Sequence, residues 1–197
     1  RDATDGWVAG VDVIDVATLA TLDTVTLPDG DPPETTDQVW SRVAPSVAVS
    51  PAGERLYVSS FWYVWTESSS VPSGTDHWTV TWDGHAGSPV DAGSTDGNTC
   101  SEWGAGFIDE ARVYVVCWFG ANPAIERRDL VGNVLARAPV PDASAGNEES
   151  GSVMQVAGNV LYLWAPRDLQ LTRYDLLTGE MTSNQAPIPT ADATLRR

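Results

Sequence analysis

Ser46-Val47-Ala48-Val49-Ser50-Pro51-Ala52-Gly53-Glu54-Arg55-Leu56-Tyr57-Val58 reads as two short strands around a tight turn. Apolar and β-branched residues favour the pleated strand, while Ser, Pro and Gly supply the turn. Two further copies follow. One is Gly106-Phe107-Ile108-Asp109-Glu110-Ala111-Arg112-Val113-Tyr114-Val115, and the other is Met154-Gln155-Val156-Ala157-Gly158-Asn159-Val160-Leu161-Tyr162-Leu163. Each carries a tyrosine at the centre of its second strand: Tyr57, Tyr114 and Tyr162.

A second unit accompanies these hairpins. An aspartate opens a turn, and an extended segment then runs toward a proline or valine. The copies start at Asp15 (to Pro28), Asp83 (to Val90), Asp129 (to Pro141) and Asp175 (to Pro189). Aspartate suits this place because its carboxylate bonds backbone N–H groups two residues on. No stretch has the 3.6-residue period of a helix, and the 13 prolines and 17 glycines fall mostly between strands. The expectation is an all-β chain.

Two hairpins per roughly 45 residues is the four-stranded blade of a β-propeller. Residues 1–197 then hold about three and a half blades. An outer hairpin of an incomplete blade spans 7–28, and blades follow over 45–92, 100–141 and 152–189. Stretches around 29–44 and 63–77 are expected to be inserted loops. The segments around Val13-Ile14-Asp15-Val16-Ala17-Thr18 and Val47-Ala48-Val49-Ser50-Pro51 resemble the repeats of seven-bladed propellers of the YVTN type. A closed ring needs at least four blades, and bare strand edges invite association. The chain is therefore expected to be a partial ring or half-propeller, closed by a protein partner or second chain, or part of a longer propeller. The opening Arg1-Asp2-Ala3 suggests a processed or truncated product.

Charge narrows the partners. Eleven basic residues, all arginine, face 27 acidic ones, for a net charge of −16. Such a surface repels phosphate backbones, so nucleic-acid binding is not expected. No apolar run approaches the ~20 residues of a membrane-spanning helix, so no direct membrane insertion is expected. The acidic clusters Asp29, Asp31, Glu34, Asp37 and Asp91, Asp96, Asn98 match no calcium-loop spacing. No phosphate-binding glycine motif occurs. Neither a metal nor a cofactor is expected.

Cys100 and Cys117 are the only cysteines. A hairpin turning near Asp109-Glu110 would set them opposite each other or one pair off, which suits a disulfide. Two buried thiols are the alternative. A disulfide implies a secreted, periplasmic or cell-surface location. The cysteine pair, the Asp15 repeat and the Ser50-Pro51-Ala52-Gly53 turn are similar to the propeller (heavy) subunit of quinone-cofactor amine dehydrogenases. That resemblance implies a periplasmic propeller whose quinone belongs to a separate small subunit. It carries no catalytic residue onto this chain.

Nine tryptophans stand out. Trp62, Trp65, Trp118 and Trp164 lie at or past the exits of the tyrosine strands. With His77 and Arg167 they form the candidate binding rim, since tryptophan is a favoured contact residue. Packing between blades is the competing role. His77 and His85 are the only histidines, and no nucleophile or orienting carboxylate is marked for either. The reading is an extracytoplasmic interaction or scaffold module without catalytic activity of its own. The alternatives are a propeller subunit of a periplasmic oxidoreductase and a propeller hydrolase or lactonase.

Overall fold

The computed structural model describes residues 10–28, 39–42, 46–65, 70–96, 101–119, 123–140, 153–165 and 170–185. Every regular element among them is a β-strand, and every pairing is antiparallel. The chain is all-β, built from propeller-type blades.

The half-blade is a two-stranded sheet of β1 (Gly10–Ile14) and β2 (Thr21–Thr26). The second blade contains β3 (Val39–Arg42), β4 (Ser46–Val49), β5 (Arg55–Trp65), β6 (Ser70–Thr81) and β7 (Val90–Asp96). There β3 and β4 pair in succession along β5, which pairs on to β6 and then β7. The third blade is the meander β8 (Ser101–Asp109), β9 (Arg112–Phe119), β10 (Ala124–Asp129) and β11 (Val134–Pro139). The fourth is the meander β12 (Val153–Ala157), β13 (Val160–Ala165), β14 (Gln170–Asp175) and β15 (Met181–Gln185). Contacts group the chain into two compact units, Arg1–Pro139 and Val140–Arg197.

Two expectations are corrected. Within 63–77, residues 63–65 and 70–77 are strand rather than inserted loop: β5 and β6 pair from Arg55↔Thr81 to Trp65↔Ser70. The run Phe61-Trp62-Tyr63-Val64-Trp65 has strong strand preference, and it pairs with Thr75, Gly74, Pro72, Val71 and Ser70. Part of 29–44 is also strand, since Val39–Arg42 pairs with Trp62–Trp65. The β8–β9 turn lies at Glu110 and Ala111, near the expected Asp109-Glu110, and the ladder puts Glu102 opposite Cys117. Cys100 lies outside the described residues. Cys117 is fully buried, and no free cysteine occurs among the described residues.

The aspartate turns form as their chemistry dictates. The Asp15 carboxylate accepts from the Thr18 N–H (2.7 Å) and hydroxyl (2.8 Å). Asp129 accepts from Val131 N–H (3.1 Å), Asn133 N–H (2.8 Å) and the Asn133 side-chain amide (2.8 Å). Asp175 accepts from Leu177 N–H (2.9 Å) and Thr178 N–H (2.7 Å). These bonds stabilise the ionised carboxylates and hold all three below the usual range, the Thr18 hydroxyl leading at Asp15, the Asn133 amide at Asp129 and the Thr178 N–H at Asp175.

Within the first unit the sheets pack face to face. Val25 and Leu27 of the half-blade segment meet Leu56, Val58, Trp78 and Val80. One sheet further, Tyr57 meets Ala92 and Val113, flanked by Phe107 and Leu130. Polar bonds stitch the sheets together. Ala86 N–H donates to the Asp23 carboxylate (2.8 Å), Ala52 N–H to the Glu110 carboxylate (2.6 Å), and the Arg55 guanidinium to the Glu110 carbonyl (2.9 Å). At the outer edge Gly132, with φ +88°, lies so close to Ala92 that no Cβ fits.

Candidate functional site

The strongest concentration of chemistry lies between the second and third blades. In β5 and β6, Ser59 faces His77 and Tyr57 faces Thr79 across the ladder. Alternation therefore puts Tyr57 and His77 on one face of that sheet. Their rings stack at 5.5 Å with an interplanar angle of 27°. Phe107 of β8 meets Tyr57 edge-on at 6.4 Å. From the third blade, β10 offers Glu126 and Arg128, two residues apart and thus on one face. Arg137 stands opposite Glu126 on β11.

These side chains form one network. Arg128 donates through Nε to Glu126 Oε2 at 2.9 Å and through Nη2 to the same oxygen. Arg137 Nη1 donates to Glu126 Oε1 at 2.7 Å. Arg128 Nη1 sits 3.4 Å from His77 Nε2. A guanidinium only donates, so Nε2 is the acceptor and the imidazole carries its proton on Nδ1. Burial, and then the Arg128 charge, push the His77 pKa down to about 3. The ring is neutral throughout the physiological range.

The cluster is closed to solvent. His77, Glu126 and Arg128 are all buried, and Arg137 alone reaches out, its side chain 37% exposed. A neutral imidazole and donor-only guanidinia, with one carboxylate already accepting three hydrogen bonds, offer no activated nucleophile. No group of three or more His, Cys, Asp or Glu residues able to hold a metal occurs among the described residues. The network acts as a polar clamp inside the blade interface.

His77 is in the interior of the long hairpin rather than on a rim. Trp62 and Trp65 lie on β5, opposite Gly74 and Ser70, and Trp118 lies on β9; the structure describes their backbone positions only. Trp164 is half-buried on β13, opposite Leu171. Arg167 is outside the described residues. His85 is exposed. The clamp itself is not marked by a motif. The signal that could have found it is charge at alternate positions, 126 and 128, on the third and hence internal strand of a blade.

No protein-family model matches the sequence, and no curated protein matches it. Among solved structures, the chain is similar to the WD40 domain of coronin from Toxoplasma gondii, at 13% identity and a TM-score of 0.48. That likeness covers 89% of this chain and 39% of the other. Apo AztD from Citrobacter koseri matches at 13% identity and a TM-score of 0.39, over 88% of this chain and 55% of that one. A putative 6-phosphogluconolactonase from Bacteroides fragilis matches at 12% identity and 0.34, over 83% and 59%. The chain thus spans less than two thirds of each. The fold assignment rests on the strand order and register above.

Proposed function

We propose that this chain is a non-catalytic β-propeller module that works outside the cytoplasm as the scaffold of a larger assembly, holding a protein partner that completes its half-blade. The observation that carries this reading is the two-stranded sheet β1–β2, set beside sheets of at least four strands. The aspartate turn that joins strands three and four of the other blades joins β1 to β2. Among the described residues, the half-blade is therefore an outer hairpin with no inner one beside it. The buried clamp supports a structural rather than a catalytic role, because its charged groups already bond one another. A ring of seven blades, as in the YVTN-type repeats, is the complete form we propose. A Cys100–Cys117 disulfide and an extracytoplasmic location belong to the same proposal.

Light scattering of the native material, with intact mass spectrometry of every polypeptide in it, tests the assembly. A second, different chain is the expected result. A lone 21.1 kDa species would overturn the reading. Intact mass with and without reductant tests the disulfide; the expected gain is 2 Da on reduction, two hydrogens for one S–S bond.

A further inference from the structure

We infer that the outer edge of β1, together with the exposed valines of β4, is a docking slot for a β-hairpin whose second strand reads aliphatic–tyrosine–aliphatic, supplied by the partner proposed to complete the half-blade. This rests on the proposed completion of the half-blade by a partner and names the chemistry of the piece that fits.

The argument starts from strand position. β6, β10 and β14 each run into an aspartate turn, and each is paired on both sides. β1 runs into the Asp15 turn in the same way, yet among the described residues it pairs with β2 alone. Among the described residues no strand meets its other edge, whose backbone donors and acceptors can take up another strand.

A second, independent observation lies one sheet away. In the third blade, Ala105 and Phe107 of the innermost strand face the preceding blade and flank Tyr57. Phe107 is paired with Val113, the residue before Tyr114. Val49 is paired with Leu56, the residue before Tyr57. Val49 thus holds the place of Phe107, and Val47 that of Ala105. Yet Val49 is 59% exposed and Val47 43% exposed. The outer part of the same face is covered, since Leu56, Val58, Trp78 and Val80 pack with Val25 and Leu27. Among the described residues the inner part of this face is bare, and it lies beside β1, whose Val11 packs on the covered part.

One object fills both vacancies. The strand that pairs with the pre-turn strand in the other blades is Arg55-Leu56-Tyr57-Val58, Arg112-Val113-Tyr114-Val115 or Val160-Leu161-Tyr162-Leu163. In the second blade its tyrosine projects onto the following sheet, where Phe107 meets it. An incoming strand of this pattern, antiparallel to β1, would project its tyrosine onto Val49. A second copy of this chain is a poor donor. Its tyrosine strands already pair with their own outer hairpins, and its own half-blade is another outer hairpin.

The test uses the full chain and a synthetic peptide of residues 152–166, the inner hairpin of the fourth blade, as probe. Hydrogen exchange is followed at the amides of residues 10–14. Added peptide should slow these amides at least about tenfold, a 1.4 kcal/mol effect. A Tyr162→Ala peptide should need at least about ten times the concentration for the same protection. Val49→Asp in the protein should abolish the effect, and Val47→Asp gives the same readout should the first variant fold poorly. Unchanged exchange would overturn the inference. So would equal protection by a scrambled peptide, or protection of the same amides by self-association of the protein without peptide. Because the probe is synthetic, the result is independent of whether a natural partner co-purifies. Peptide capture with a lone native chain retains the slot and removes the scaffold reading, and the reverse pattern does the opposite.

Discussion

Glu126 is the pivot of the interior. It is buried with Arg128 and accepts from both arginines, so neutralising it leaves a buried guanidinium with its counter-charge gone. Breaking such a pair costs about 3–5 kcal/mol. Glu126→Gln should lower the urea-unfolding free energy by that amount, and a loss below about 1 kcal/mol would show that the clamp is not fully desolvated. His77 gives a pH signature. Its folded pKa, about 3, is below the ordinary 6.5, so the unfolded chain binds the extra proton first. The stability due to a neutral His77 is complete above about pH 6.5 and is lost as pH falls toward 3, with a slope of up to about 1.4 kcal/mol per unit. His77→Phe should flatten stability across that window in pH-resolved thermal melts. The aspartate turns act lower: Asp15, Asp129 and Asp175 stabilise above the normal carboxylate pKa, and that contribution fades as pH drops through their depressed values.

At the scale of elements, the turns explain two outliers. Leu19 has φ +58° and holds the place that Gly179 fills, at φ +80°, in the fourth blade. Its N–H donates to the Asp15 carbonyl as Gly179 N–H donates to Asp175 (2.7 and 2.8 Å). A leucine in this conformation costs about 1–2 kcal/mol, and its side chain is exposed. Leu19→Gly should therefore raise the unfolding midpoint, and a drop would mean that the leucine packs against something. Gly132→Ala should do the opposite, costing at least about 2 kcal/mol in denaturant titration, because the residue is left-handed and its Cβ would strike Ala92. The hairpins and the aspartate turns were legible in the sequence because their signals are local: alternation, turn residues and a carboxylate. The long β5–β6 hairpin was not. Its serines and Pro72 look like loop composition, and only pairing with Phe61–Trp65 makes them strand. The clamp was hidden for a related reason. Glu126, Arg128 and Arg137 look like surface charges until the meander makes their strands neighbours.

For the molecule as a whole, a net charge of −16 sets a diffuse repulsion that opposes compactness. Raising salt from about 0.01 to about 0.15 M shortens the screening length from about 30 to about 8 Å. The thermal midpoint should rise with salt over that range; a fall would mean that exposed ion pairs such as Asp109–Arg112 outweigh the repulsion. The half-blade was legible as a count of repeats, but the bare valines of β4 were not, since a valine in a strand reads as core wherever it stands. The meander has a last consequence, for the order of assembly. The third and fourth blades pair only strands adjacent in sequence, so each hairpin closes with a short loop and little entropy to overcome. Sheets should form quickly and independently, leaving the mating of finished faces, with Glu126 and its arginines sealed in last, as the slow event of folding.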